Sequence, residues 1–327
     1  MAGNLSHTAI MRKHFLAALV LTLSASLSLS GCATDIPVAT VEQKYISPAS
    51  QFIQLSDGVR LHMRDEGPRD APVIILAHGS NASLHAWEPW VAALQGKWRV
   101  VSFDFPAHGL TGPSASGIYN GAAYVRVVDE LAANLKIDRF VLVGNSMGGA
   151  VAWRYALAHP NKVAGLVLVD AAGYPREGGG KPPLVFRLAR APVIGEAFSR
   201  LTNKSILKSQ LTDVIVDDSL VTDAMVQRYY DLLMRKGNRD ATLARLRAGP
   251  DDPDAFKSIP TITAPTLVLW GEQDPWIPLA DAARFTSEIK GATKITYLNT
   301  GHLPQEERPT ETAVAVDAFL TQVYGAR

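Results

Sequence analysis

Short, continuous apolar runs alternate with amphipathic stretches along most of the chain after residue 71. The apolar runs have the length of strands, and the stretches between them carry apolar residues at helical spacing. The predicted strands are Pro72–Ala77, Val100–Phe103, Phe140–Val143, Val163–Val169, Thr266–Trp270 and Ile295–Leu298. The predicted helices are Leu84–Leu94, Ala122–Leu135, Ala150–Ala158, Leu279–Ile289 and Thr310–Val323. Because such alternation is typical of a parallel sheet covered on both faces, it predicts an α/β fold with a mostly parallel central sheet flanked by helices.

A β-hairpin is predicted ahead of this pattern. Gln51–Leu55 and Arg60–Arg64 are short alternating segments, and the residues between them, Ser56-Asp57-Gly58, have the chemistry of a tight turn. The hairpin is expected to add antiparallel strands at one edge of the sheet.

The alternation is interrupted over residues 173–259. The interval opens with the glycine- and proline-rich stretch Gly178–Pro183 and continues as helices that include Ala224–Arg235 and Ala241–Arg247. A long helical insertion after one strand is typical of a cap over the carboxyl edge of the sheet, and a purely structural excursion is the alternative. We therefore predict a core of residues 51–172 and 260–327 and a helical cap, or lid, of residues 173–259.

The first 31 residues have the pattern of an export signal. Arg12, Lys13 and His14 precede a short apolar run that continues, rich in serine, to Leu29. That run is too short for a permanent membrane span, so residues 1–31 are predicted to be a signal peptide. Met11 is an alternative start, because the residues before it contribute nothing to the pattern.

The apolar run ends at Cys32, which is the one cysteine of the chain. The sequence Leu29-Ser30-Gly31-Cys32 resembles a bacterial lipobox, which implies that Cys32 is lipidated and anchors the protein to a membrane of the cell envelope. Ala33 favours the outer membrane by resemblance to sorting signals. Residues 32–50 are then predicted to be a polar tether. A soluble exported protein with an incidental cysteine is the alternative.

Composition and charge narrow the range of partners. The 327 residues are 47% hydrophobic and 19% charged, with a formal net charge of +1. No basic block or aromatic–basic interleaving occurs, so nucleic acid is not expected as a partner. No metal-ligand spacing, phosphate loop or dinucleotide fingerprint is present, so no cofactor or metal is expected. The sequence leaves the oligomeric state undefined.

The strongest chemical motif follows the strand at residues 140–143. Gly144-Asn145-Ser146-Met147-Gly148-Gly149 comes next and leads into a helical pattern. A strand that turns sharply into a helix exposes Ser146 at the turn and places the Met147 backbone N–H where it can donate to an oxyanion. A second donor is expected from the backbone N–H of Ser80, in the loop after the strand that ends at Ala77. An ordinary glycine-rich turn is the alternative for the motif alone.

An acid and a histidine follow later strands in the order that this chemistry requires. Asp274 comes after the strand that ends at Trp270, and His302 comes after the last predicted strand. Ser146, Asp274 and His302 are therefore the predicted nucleophile, acid and base. Asp170 also ends a strand and is the alternative acid. His78, beside Gly79, is expected to be structural.

These motifs together resemble the α/β-hydrolase superfamily, in particular its capped members, over residues 51–324. The resemblance rests on five segments, which are His78-Gly79, Asp104-Phe105-Pro106-Ala107-His108-Gly109, Gly144–Gly149, Gly271-Glu272-Gln273-Asp274 and Gly301–Glu306. It implies that Asp104 and His108 belong to a structural turn. Dehalogenases and epoxide hydrolases of this group carry an aspartate where this chain has Ser146, so both chemistries are disfavoured.

The expected activity is hydrolysis of small or medium carboxylic esters through an acyl-enzyme. Trp276 and Tyr174 are expected to shape an apolar substrate pocket. One alternative is a C–C bond hydrolase of the meta-cleavage-product type, which shares the Gly-Asn-Ser-Met-Gly-Gly turn but has a more glycine-rich loop after His-Gly than Ser80–Ser83. A non-catalytic binding lipoprotein on the same fold is the other alternative.

Overall fold

A single sheet of eight strands organises the chain in this computed structural model, which describes residues 34–175, 184–191, 193–249 and 251–325. The strand order is β1-β2-β4-β3-β5-β6-β7-β8. The strands are β1 (Ser50–Gln54), β2 (Arg60–Glu66), β3 (Val73–Ala77), β4 (Arg99–Phe103), β5 (Phe140–Asn145), β6 (Val163–Val169), β7 (Thr266–Gly271) and β8 (Thr293–Tyr297). Strand β2 pairs antiparallel with β1 and β4, and all later pairings are parallel. The predicted α/β architecture and the hairpin are therefore confirmed.

Central strands β3, β5, β6 and β7 are buried at every residue, which explains their unbroken apolar sequences. Two hydrophobic clusters, one on each face, pack the sheet against its helices. The helices outside the insertion are α1 (Val38–Tyr45), α2 (Glu88–Leu94), α3 (Gly121–Asn134), α4 (Met147–Ala158), α10 (Leu279–Glu288), α11 (Pro304–Glu307) and α12 (Pro309–Tyr324). Because parallel strands end at one edge, this arrangement brings the predicted site residues to the same side of the sheet.

The insertion after β6 is helical in the part that the structure describes. Its helices are α5 (Leu184–Arg190), α6 (Ile194–Leu201), α7 (Lys204–Thr212), α8 (Asp223–Met234) and α9 (Asn238–Ala248). No strand lies between β6 and β7 among these residues, as predicted. The Gly178–Pro183 stretch lies outside the described residues. No helix among the described residues is long and apolar enough to span a membrane.

The tether prediction is wrong for residues 35–50. This segment forms helix α1 and leads into β1, and Ile36 exchanges backbone hydrogen bonds with Met234 and Lys236 of the insertion. Val41 is buried, and the ammonium group of Lys44 lies 2.6 Å from the Asp231 carboxylate. The sequence pattern does not predict this helix, because Val41 is its single buried residue and it has no apolar stripe. Cys32 and the predicted signal peptide lie outside the described residues.

The last strand begins two residues before the predicted one and ends one residue before it. Strand β8 pairs with β7 alone, so it is an edge strand, and its first three residues are exposed. The side chain of Ile295 is 39% exposed and that of Leu298 is 71% exposed. The apolar run in the sequence therefore does not mark a buried strand here.

Candidate active site

Ser146 lies at the apex of the turn between β5 and α4. Its backbone has φ 53° and ψ −114°, a strained conformation for a residue with a side chain. The flanking glycines permit this turn: a Cβ on Gly144 would lie 2.2 Å from the Gly148 carbonyl oxygen, and one on Gly148 would lie 2.1 Å from that of Ala77. The motif is thus a strained elbow that projects the serine, rather than an ordinary turn.

His302 is held by Asp274 at the neighbouring strand ends. The Nδ1 atom of His302 lies 2.7 Å from Oδ2 of Asp274, and both side chains are almost fully buried. The other carboxylate oxygen, Oδ1, accepts the backbone N–H groups of Trp276 and Ile277 at 2.7 and 3.1 Å. These contacts fix the Asp274 carboxylate, so His302 carries its proton on Nδ1. The Nε2 atom of His302 is buried with no hydrogen-bond partner among the described residues and is left to act as a base.

Asp170 lies behind this pair but does not contact His302 Nδ1 as Asp274 does. Its Oδ1 accepts the Gly271 backbone N–H at 3.0 Å. Burial, and then the negative charge of Asp274, raise the pKa of Asp170 well above its usual range. Both effects favour the protonated form of Asp170, whose Oδ2 is buried with no hydrogen-bond partner among the described residues. This geometry favours Asp274 over Asp170 as the acid.

The loop that carries His302 is anchored by a residue that the sequence did not reveal. The two carboxylate oxygens of Glu307 accept the backbone N–H groups of Gly301, Leu303 and Val216 at 2.9–3.2 Å. The His302 N–H itself donates to the carbonyl of Val214, in the insertion, at 2.8 Å. The histidine backbone is thus held from both the core and the insertion.

Two backbone amides are positioned to receive an oxyanion. Met147 is the first residue of α4, where a free N–H benefits from the helix dipole. Ser80 follows β3, and Gly79 of the same loop approaches Ser146 so closely that an added Cβ would lie 3.2 Å from the Ser146 Cβ. Among the described residues, no hydrogen-bond acceptor is assigned to the Met147 or Ser80 amide.

His78 supports this loop rather than the chemistry, as predicted. It is fully buried; its Nδ1 donates to the Gly79 carbonyl at 2.7 Å, and its Nε2 accepts the Phe105 N–H at 3.0 Å. Desolvation lowers the pKa of His78, which keeps it neutral. Asp104 is likewise structural, since its carboxylate accepts the backbone N–H groups of Leu84 and Leu110.

A cavity of about 410 Å³ opens beside Ser146 and His302. Its walls come from the core and from the insertion, which contributes Arg190, Arg245 and Leu246. The size suits a small or medium ligand. Trp276 lines the cavity and packs against the His302 ring at 5.0 Å between centroids. The pocket role expected for Tyr174 is not observed in the geometry, because its ring packs on Phe285 and its hydroxyl donates to Glu288.

The sequence did not identify Arg245 as a residue of the site. Its guanidinium donates from Nη2 to the Ser80 hydroxyl at 2.7 Å and to the Asn81 side-chain oxygen at 3.2 Å. Nη1 lies 3.6 Å from the Met147 sulfur. Desolvation lowers the pKa of Arg245, although a guanidinium stays charged at any physiological pH. An arginine in a helix of the insertion has no sequence signature that separates it from an ordinary surface charge.

One group of side chains in the described residues has the composition of a metal site. Ligand atoms of Asp170, Asp274 and His302 lie within 4.8 Å of one another. Nδ1 of His302 and Oδ2 of Asp274 already bond to each other, and Oδ1 of Asp170 already accepts the Gly271 backbone N–H. The donor set is therefore committed to internal hydrogen bonds and does not suit a cation.

A family model described as alpha/beta hydrolase fold matches residues 72–309. The chain therefore belongs to the α/β-hydrolase family, and it is an enzyme of the hydrolase class.

Similar proteins carry more specific names. A 2-hydroxy-6-oxononadienedioate/2-hydroxy-6-oxononatrienedioate hydrolase of Cupriavidus pinatubonensis is 31% identical over 79% of this chain and 90% of its own length. The crystal structure of an enol-lactonase from Burkholderia xenovorans LB400 superimposes with a TM-score of 0.71 at 25% identity, over 83% of this chain and 100% of that one. A meta-cleavage product hydrolase from Pseudomonas fluorescens IP01 gives 0.70 at 25% identity, over 83% and 97%.

Proposed function

We propose that this hydrolase cleaves carboxylic esters through an acyl-enzyme formed on Ser146. The observation that carries the proposal is the contact of His302 Nδ1 with Asp274 at 2.7 Å, which leaves Nε2 as a base beside the cavity that Ser146 lines. A histidine oriented in this way can take the serine proton as the hydroxyl attacks a carbonyl.

In the proposed mechanism, His302 accepts the Ser146 proton and Asp274 stabilises the resulting imidazolium. The negative charge that develops on the carbonyl oxygen is received by the N–H groups of Met147 and Ser80. His302 then protonates the leaving alcohol. It next activates a water molecule that attacks the acyl-enzyme, which releases the acid and regenerates Ser146. Loss of one oxyanion donor typically costs about 10²–10³ in kcat.

The first test is covalent labelling followed by turnover. A fluorophosphonate probe is expected to label wild-type protein and not Ser146→Ala, and 4-nitrophenyl butyrate is expected to be hydrolysed with the same dependence on Ser146. Ser114→Ala, a buried serine away from the turn, serves as the matched control. A folded protein that neither reacts with the probe nor hydrolyses esters would support the non-catalytic alternative instead.

C–C bond hydrolysis is the second candidate. It is favoured by the 31% identical relative, whose name describes a hydrolase of 2-hydroxy-6-oxo dienedioates. It is disfavoured by the loop after Gly79, where Ser80 and Asn81 replace a glycine-rich segment and hold the Arg245 side chain. Loss of the dienol absorbance of a 2-hydroxy-6-oxo dienoate, measured beside ester turnover, separates the two activities.

We also propose that Cys32 is lipidated after removal of residues 1–31 and anchors the enzyme to the cell envelope, with the outer membrane favoured. The basis is the sequence pattern alone. Metabolic labelling with an alkynyl fatty acid is expected to mark the wild-type protein and not Cys32→Ala, and fractionation of the two membranes would identify the site. Equal labelling of both forms would refute this proposal.

A further inference from the structure

Arg245 is a half-buried cation with no carboxylate partner among the described residues. It lies in helix α9 of the insertion, and its Nε is fully buried with no hydrogen-bond acceptor among the described residues. Its remaining contacts are to neutral atoms, namely the Ser80 hydroxyl, the Asn81 amide oxygen and the Met147 sulfur. No carboxylate among the described residues forms an ion pair with it. A charge placed in this way is costly unless something compensates for it.

The cavity beside Ser146 is positively charged as a whole. Arg154, Arg190 and Arg245 line it, and Asp251 is the one carboxylate among its described lining residues. The charge of Asp251 attracts Arg154, and its Oδ2 also accepts the Ala122 backbone N–H at 2.8 Å. Arg190 is exposed to solvent, so water can compensate for its charge. Arg245 is left with a buried, unpaired Nε and no carboxylate partner among the described residues.

The guanidinium of Arg245 lies beside the residues that are proposed to bind the oxyanion. Its two terminal nitrogens contact side chains of Ser80 and Met147, the residues whose amides are expected to bind the oxyanion. An anion bound by the guanidinium would therefore lie a few atoms from the carbonyl carbon under attack. Arginine suits this task because its planar fork matches carboxylate and phosphate oxygens.

We infer that Arg245 forms an anion subsite and that the preferred substrates are short esters bearing a carboxylate or phosphate group close to the scissile bond. Arg154 and Arg190 add positive potential at the same cavity. This inference rests on the proposed ester hydrolysis and names its substrate class.

The test compares pairs of esters in which one member carries an added anionic group. Monomethyl glutarate and methyl pentanoate place the charge on the acyl side, and 1-acetylglycerol 3-phosphate and 1-acetylglycerol place it on the alcohol side. Wild type is expected to prefer the anionic member of at least one pair by about 10–100-fold in kcat/KM, the range of a charge-assisted hydrogen bond. The pair with the larger ratio shows whether an acyl-side carboxylate or an alcohol-side phosphate is the better match to the subsite.

Variants at residue 245 then assign the preference. Arg245→Met is expected to reduce the anionic-to-neutral ratio to about 1, mainly through KM, and Arg245→Lys is expected to restore part of it. Arg126→Met removes a surface arginine that pairs with Asp57 and is the control for net charge. A wild-type ratio near 1 for both pairs, or an equal loss for neutral and anionic esters in Arg245→Met, would overturn the inference. The equal loss would mean that Arg245 serves only to position the oxyanion loop.

Binding without turnover separates this inference from the proposed reaction. Calorimetry with Ser146→Ala is expected to show that monomethyl glutarate binds and that methyl pentanoate binds at least 10-fold more weakly. The difference is expected to disappear in Ser146→Ala/Arg245→Met. If wild type hydrolyses no ester but this Arg245-dependent binding persists, the subsite stands and the ester proposal fails. If neutral esters are hydrolysed but no such binding occurs, the subsite fails alone.

Discussion

The two buried aspartates behind His302 allow the mechanism to be tested with nearly isosteric changes. In Asp274→Asn, the side-chain oxygen can keep the amides of Trp276 and Ile277, but the new NH₂ group then faces His302 Nδ1. Two donors cannot share that contact, so the imidazole must carry its proton on Nε2, which is the wrong tautomer for a base. We expect kcat to fall about 10⁴-fold, which corresponds to about 5.5 kcal/mol.

Asp170→Asn should behave in the opposite way. Oδ1 of Asp170 accepts the Gly271 N–H, and its raised pKa favours the protonated form, so an uncharged asparagine can keep that bond and replace the acid. We expect kcat to stay within about threefold of wild type, less than about 0.7 kcal/mol. The assay is steady-state hydrolysis of 4-nitrophenyl butyrate, with circular dichroism to confirm that both variants fold. A large loss in Asp170→Asn together with near-normal Asp274→Asn would refute the assignment of the acid.

Three further predictions follow from the same region. Folded Asp170 keeps its proton above pH 3.8, whereas the aspartate of the unfolded chain loses it. The free energy of unfolding of wild type should therefore fall relative to that of Asp170→Asn by about 1.4 kcal/mol per pH unit, as pH rises from about 4 toward the raised pKa. Urea titrations at pH 4 and 7 measure this difference, and a pH-independent difference would contradict the prediction. Gly148→Ala forces a Cβ to within 2.1 Å of the Ala77 carbonyl oxygen, so it should lower the free energy of unfolding by about 1–3 kcal/mol and remove most of the activity. Gly96→Ala, which has open space around the new Cβ, should change the free energy of unfolding little in the same urea titration. Equal losses in the two variants would count against the strained turn. In Glu307→Gln the side chain can no longer accept all three backbone N–H groups, so we expect the free energy of unfolding to fall by about 1–3 kcal/mol and kcat to fall as well. The control Glu311→Gln changes an exposed residue and should behave nearly as wild type. Unchanged kinetics in Glu307→Gln would show that this anchor is dispensable.

The sequence could reveal the sheet and the candidate triad because both depend on local patterns. The buried strands carry unbroken apolar runs, and Ser146, Asp274 and His302 each follow such a run directly. Because the carboxyl ends of parallel strands lie at one edge of the sheet, the place of each residue just after a strand predicts that the three lie on the same side of the sheet. The turn likewise requires glycine at position 148, where a Cβ would clash, and this requirement can be recognised in the sequence motif.

Other parts of the site depend on tertiary contacts that no local pattern records. Glu307 follows the histidine by five residues, but its role comes from amides in two separate segments. Arg245 is one of several arginines in the insertion, and its significance arises only where the fold buries it beside Ser80. Helix α1 likewise depends on a distant contact, since the bond of Lys44 to Asp231 joins residues 187 positions apart.

The insertion is hydrogen-bonded to the loop that carries His302 and also lines the cavity, and this limits what exchange of the insertion can achieve. His302 donates its backbone N–H to Val214, and Val216 donates to Glu307, so the segment after α7 is joined to the histidine loop. In addition, Tyr229 of α8 donates to Glu306 in the helix that follows this loop. A chimera that receives another enzyme's insertion would lose these bonds together with Arg245. Its kcat should therefore fall even for neutral esters that fit the new pocket, unless the backbone at residues 214 and 216 is retained.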